Sequence, residues 1–132
     1  MRLKHIKDAD KKIAISPYII SNPKDYKGKW SLLFNNSNDI EVEIGTGKGK
    51  FIISKALSNQ NTNYIGIEKY DSPLVSAVKK LNDIDINNLR IVCFDAVVLL
   101  LFYLDCLIDS VFYHYIQDLY LKYLKNLFLF SF

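Results

Sequence analysis

Three acidic residues close short apolar runs: Glu43 in Ile40-Glu41-Val42-Glu43-Ile44, Glu68 in Asn63-Tyr64-Ile65-Gly66-Ile67-Glu68, and Asp95 after Leu89-Arg90-Ile91-Val92-Cys93-Phe94. Runs of this length and composition read as strands. Ligands of an open parallel sheet bind beyond the carboxyl ends of its strands, so the three carboxylates would gather round one ligand. Three acids suit a ligand that offers hydroxyls and amines and repel one rich in phosphate, which argues against a mononucleotide. Between the first two runs lies Gly45-Thr46-Gly47-Lys48-Gly49. Its G-x-G-x-G spacing matches neither the phosphate cradle G-x-x-x-x-G-K-[ST] nor the dinucleotide fingerprint G-x-G-x-x-G. With Glu68 placed to accept from ribose hydroxyls, the loop fits a nucleoside-type cofactor packed against bare backbone.

The elements that must position these residues follow from periodicity. Phe51, Ile52, Ile53, Ala56 and Leu57 recur at helical spacing up to the polar stop Ser58-Asn59-Gln60-Asn61. Ser72-Pro73 is expected to open a second helix, with a capping hydroxyl and Pro at the first helical position. Its stripe is Leu74, Ala77, Val78 and Leu81. Strand, helix, strand, helix, strand predicts an α/β fold on a parallel sheet. Residues 1–39 read as an irregular basic leader with a Ser21-Asn22-Pro23 break and an amphipathic patch, Trp30, Leu32, Leu33 and Phe34. The ordered domain is expected over 40–132, with a divergent apolar tail from 97.

The 132 residues, 50% hydrophobic and 23% charged, suffice for one core and exclude a disordered chain. Cys93 and Cys106 lie in apolar runs and supply neither a disulfide framework nor a zinc knuckle. The N-terminus has no apolar stretch of signal-peptide length, so the cytoplasm is the expected compartment. The longest charge-free stretches of the tail are 96–104 and 110–117, short of the about 18 residues of a membrane span. Net charge is +3, yet residues 1–30 hold eight Lys/Arg against three Asp. That local excess suits a polyanion.

Ile20-Ser21-Asn22-Pro23-Lys24-Asp25-Tyr26-Lys27-Gly28-Lys29-Trp30, Val42-Glu43-Ile44-Gly45-Thr46-Gly47-Lys48-Gly49, Tyr64-Ile65-Gly66-Ile67-Glu68 and Asp95-Ala96 together resemble the bacterial tRNA (guanine-N7-)-methyltransferases. The resemblance covers about residues 1–96. It implies a Rossmann-like class I methyltransferase fold, incomplete here, that uses S-adenosyl-L-methionine. The implied partner is tRNA, with no DNA and no membrane. Carried over by position, the resemblance makes Glu43, Glu68 and Asp95 the cofactor-binding acids, and Gly45, Gly47 and Gly49 the loop around the methionine part. Glu43 would hold the amino end, Glu68 the ribose, and Asp95 with the Ala96 backbone the adenine. No metal is implied.

Beyond the third strand the family carries an Asp-Pro-Trp-Pro-Lys motif, a basic tract and a Thr-Asp-Asn segment, which form the guanine pocket and the tRNA surface. This chain has none of them: its only tryptophan is Trp30 and its last proline is Pro73. Residues 97–132 are instead rich in Leu, Tyr and Phe, with a strand expected near 110–115 and a helix near 118–128. Their apolar surface would favour self-association. Asp118 lies near where the motif's acid would fall, but its neighbours do not match, and His114 between two tyrosines reads as a packed core residue, so no catalytic residue is assigned. The expected function is a truncated or divergent tRNA guanine-N7 methyltransferase. The second reading is a non-catalytic cofactor- or tRNA-binding remnant.

Overall fold

The computed structural model describes residues 6–26 and 28–95. Ala96, and the strand, helix and self-association surface expected in 97–132, lie outside the described residues.

Four strands, β1 (Ile19–Ile20), β2 (Ile40–Ile44), β3 (Asn63–Glu68) and β4 (Leu89–Cys93), form one sheet in the order β1-β4-β3-β2. Every pairing is parallel. The helices are α1 (Ala9–Ala14), α2 (Trp30–Phe34), α3 (Lys50–Ser58) and α4 (Asp71–Leu81), with a 3-10 turn at Pro23–Tyr26. Register sets Glu43 beside Gly66 and Glu68 beside Cys93, so the three longer strands finish level at one edge.

Period-two alternation divides the core between the two faces. Tyr64, Leu89 and Ile91 pack with Ile13 of α1, Ile52, Ile53 and Ala56 of α3, and Leu74, Ala77 and Leu81 of α4. Ile65, Ile67 and Val92 pack on the other face with Ile20 and with Trp30 and Phe34 of α2. At the edge opposite the level strand ends, the buried Asn88 amide donates to the carbonyls of Ala56, Asn59 and Thr62 at 3.0, 3.0 and 2.8 Å. One side chain thereby ties the end of α3 to the start of β4.

Two expectations need correction. The described residues of 1–39 are not an irregular segment ahead of the ordered core: α1, β1 and α2 are built into it, and Ile13, Ile20, Trp30 and Phe34 are buried. Elements of six, two and five residues are too short to show a period and stand only on tertiary packing. The second helix also begins two residues earlier than expected, at Asp71 rather than Pro73, with Tyr70 in place of Ser72 as its extended N-cap and no side-chain cap. Pro73 stays in the first turn, where its missing N–H costs nothing.

Candidate functional site at the strand ends

The glycine loop leaves β2 and turns at once into α3. Gly45, Gly47 and Gly49 all take left-handed φ, 77°, 58° and 72°. At Gly49 space adds to conformation: a Cβ there would lie 3.1 Å from both Ala77 Cβ and Ile53 Cδ1. The loop therefore seats directly on α4.

Between the glycines, Thr46 anchors the loop from below. It is 7% exposed, and its N–H and that of Gly45 both donate to the Ile67 carbonyl, at 3.1 and 2.8 Å. Its hydroxyl donates to the Glu43 carbonyl at 3.3 Å. It sits over Gly66 of β3, where a Cβ would come within 2.5 Å of Thr46 Oγ1. Far along the chain, Lys80 of α4 donates to the Lys48 carbonyl at 2.9 Å.

Glu68 is the centre of the arrangement, 8% exposed. Its Oε2 accepts the Gly47 N–H at 2.9 Å. Its Oε1 accepts the N–H groups of Lys69 and Tyr70, at 2.9 and 3.0 Å. A carboxylate offers about four lone-pair sites, of which three are thus used by the chain. The negative charge also sits at the entry of α4, where the helix dipole favours it.

Glu43 differs. Its Oε2 is buried without a hydrogen-bond partner. Burial raises its carboxyl above the ordinary value of 4.5, against the Thr46 bond and the Lys55 charge, which act the other way. A half-buried acid with one unsatisfied oxygen beside the glycine loop suits a cationic N–H donor.

Asp95 lies 3.6 Å from the Lys69 ammonium, which also stands 4.9 Å over the Tyr70 ring. Tyr70 and then Asp95 hold that ammonium above its ordinary range. Cys93 ends β4 with its Sγ 3.9 Å from Asp71 Oδ1, and burial, more than the Asp71 carboxylate, pushes its thiol up. The thiol therefore stays protonated.

Gly47 and Glu68 are thus bonded directly, Glu43 joins the loop through its carbonyl and Thr46, Gly45 is tied to Ile67 and Gly49 to Thr46, and Asp95 lies just past the neighbouring strand end, joined through Lys69 next to Glu68. Thr46, Gly66, Lys69, Tyr70 and Lys80 were not among the residues expected from sequence. Gly66 alone had a signal there, since a glycine inside a strand marks a close backbone approach. Among the described residues no group of His, Cys, Asp and Glu could hold a metal ion.

A four-stranded parallel α/β sheet with a left-handed glycine loop and acids at its carboxyl edge has the architecture of an incomplete Rossmann-like fold. A family model described as "Putative methyltransferase" matches residues 37–123, and the chain belongs to that methyltransferase family. The match runs past residue 96, where the resemblance read from the sequence stops. A tRNA (guanine-N(7)-)-methyltransferase of Geobacillus sp. (strain WCH70) is 46% identical over 116 residues, which are 87% of this chain and 53% of that protein. The protein of the same name from Bacillus subtilis (strain 168) is 47% identical over 97 residues, 73% of this chain and 46% of the relative. The chain spans about half the length of these curated relatives. A solved structure described as "Structure of an antibiotic related Methyltransferase" is similar at TM-score 0.47 and 27% identity, over 53% of this chain and 37% of that one.

Proposed function

We propose that the chain is the cofactor-binding part of a tRNA (guanine-N7-)-methyltransferase. The carrying observation is the identity of 46–47% to relatives of that name, over a span whose described part holds the glycine loop, Glu43 and Glu68 in one linked site. S-adenosyl-L-methionine, when bound, supplies an electrophilic methyl on a sulfonium.

In this reading the unsatisfied Glu43 Oε2 takes the amino end of the cofactor, and the glycine loop lies along its methionine part. Glu68 takes one ribose hydroxyl on its remaining acceptor site; a second would require release of a bond to the chain. Asp95, with the Ala96 backbone, serves the adenine. Guanine N7 carries an unprotonated lone pair, so its attack needs no general base, and positioning and water exclusion carry the reaction. That agrees with the lack of any assigned catalytic residue.

The acceptor is the variable loop of tRNA, the basic residues of the first thirty positions meet its phosphates, and the compartment is the cytoplasm. Among the described residues no helix is long and apolar enough to cross a membrane. A second reading, a non-catalytic binding module, is favoured by one fact: the sequence has no Asp-Pro-Trp-Pro-Lys motif. Calorimetric titration with S-adenosyl-L-methionine tests the cofactor site. Glu68→Ala should weaken binding by about 1.5–3 kcal/mol, the range for hydrogen bonds to a charged group. Equal affinity in both proteins removes Glu68 from the site.

A further inference from the structure

Resting on that cofactor reading, we infer that Glu68 is also a positioning residue, a clamp that holds the glycine loop in shape and so couples the methionine and adenosine halves of the site. The two carboxylate oxygens face different segments: Oε2 takes Gly47 of the loop, and Oε1 takes Lys69 and Tyr70 at the entry of α4. No other described side chain bonds the Gly47 N–H. The backbone bonds that fix the loop otherwise lie at its ends, from Gly45 and Thr46 to Ile67 and from Gly49 to Thr46. Lys80 reaches only the Lys48 carbonyl, from an exposed position.

Both oxygens must accept for this to work, which separates Glu from Gln. Glutamine keeps the size of the side chain and can still accept from a ribose hydroxyl. Its amide NH2, however, must face a backbone N–H on one side or the other, donor against donor. Turning the amide oxygen to Lys69 and Tyr70 saves two bonds and sacrifices one, so the loop side is the side that loses.

The experiment is amide hydrogen exchange by NMR on the whole chain without ligand, for wild type, Glu68→Gln and Glu68→Ala, together with titration by free methionine and by adenosine. In Glu68→Gln the Gly47 amide should exchange about tenfold faster, as expected for losing one bond to a charged group. The Ile91 amide, bonded to the Tyr18 carbonyl at 2.8 Å in the centre of the sheet, should not change. A merely structural role would accelerate both. Methionine should bind at least severalfold more weakly to Glu68→Gln although it carries no ribose. An unchanged Gly47 rate in both variants overturns the inference, as does a loss of affinity confined to adenosine. Faster exchange at Gly47 in a chain that binds no S-adenosyl-L-methionine leaves the loop clamp standing and overturns the cofactor reading, so the two failures are told apart.

Discussion

Gly66→Ala tests whether the loop is shaped by the sheet beneath it. The added Cβ would lie 2.5 Å from Thr46 Oγ1, 3.1 Å from Thr46 Cγ2 and 3.3 Å from Ile52 Cδ1. Contacts under about 3 Å are not tolerated, so something must move. Ile52 is fully buried, and Thr46 is tied by its own N–H to Ile67 and by its hydroxyl to Glu43. Neither can withdraw without breaking what holds it. Overpacking a close-packed site costs about 1–3 kcal/mol, and a loop that lifts away loses about one hydrogen bond more, roughly 1 kcal/mol. A total of about 3 kcal/mol should lower the melting temperature by roughly 10 °C for a chain of this size. Thermal unfolding followed by circular dichroism reads the shift, and calorimetry reads the accompanying loss of cofactor affinity. Thr46→Ala removes both Thr46 atoms in conflict. Combined with Gly66→Ala it should cost less than the sum of the two single changes. A melting point for Gly66→Ala within roughly 1–2 °C of wild type, or strict additivity in the double variant, would mean that the sheet beneath does not shape the loop.

Burial raises the Glu43 carboxyl, so the folded state holds its proton over a window from the ordinary 4.5 upward in which the unfolded chain has lost it, and stability falls as pH rises through that window. Glu43→Gln should therefore be more stable than wild type at neutral pH and no different below the window, yet bind S-adenosyl-L-methionine more weakly; unfolding curves across pH and calorimetry check both. Lys7, Lys11 and Lys12 are exposed around α1, whose Ile13 is buried, so neutralising these lysines probes RNA binding better than deleting the segment. Each phosphate contact removed should flatten the dependence of log affinity on log salt by roughly 0.7–0.9, and an unchanged slope would leave them plain surface charges. The 132-residue chain by itself should form little 7-methylguanosine in tRNA, because a guanine must be held within about 3–3.5 Å of the methyl and the chain lacks the family's motif for it. Mass spectrometry of digested tRNA showing abundant product would overturn this.

The strands β2, β3 and β4 and both long helices were legible from residue order because each is long enough to show its own period. The placement of Glu43, Glu68 and Asp95 at strand ends and of the three glycines in the turn after β2 was legible for a related reason: strand ends and positive-φ turns leave a local mark in residue type. The parallel arrangement then levels those ends without further information. What residue order did not carry was anything set by a partner distant in the chain. Ile13, Ile20, Trp30 and Phe34 look like scattered apolar positions until the sheet gives them a surface, and only then does the first third of the chain become core. Thr46 looks like a loop hydroxyl until Gly66, twenty positions on, leaves room beneath it. Glu68 reads as an open acceptor, yet three backbone N–H groups already occupy it, one of them from the loop before α3. Hydrogen-bond satisfaction and close packing are properties of what folding brings together, and those contacts were decided by the tertiary structure alone.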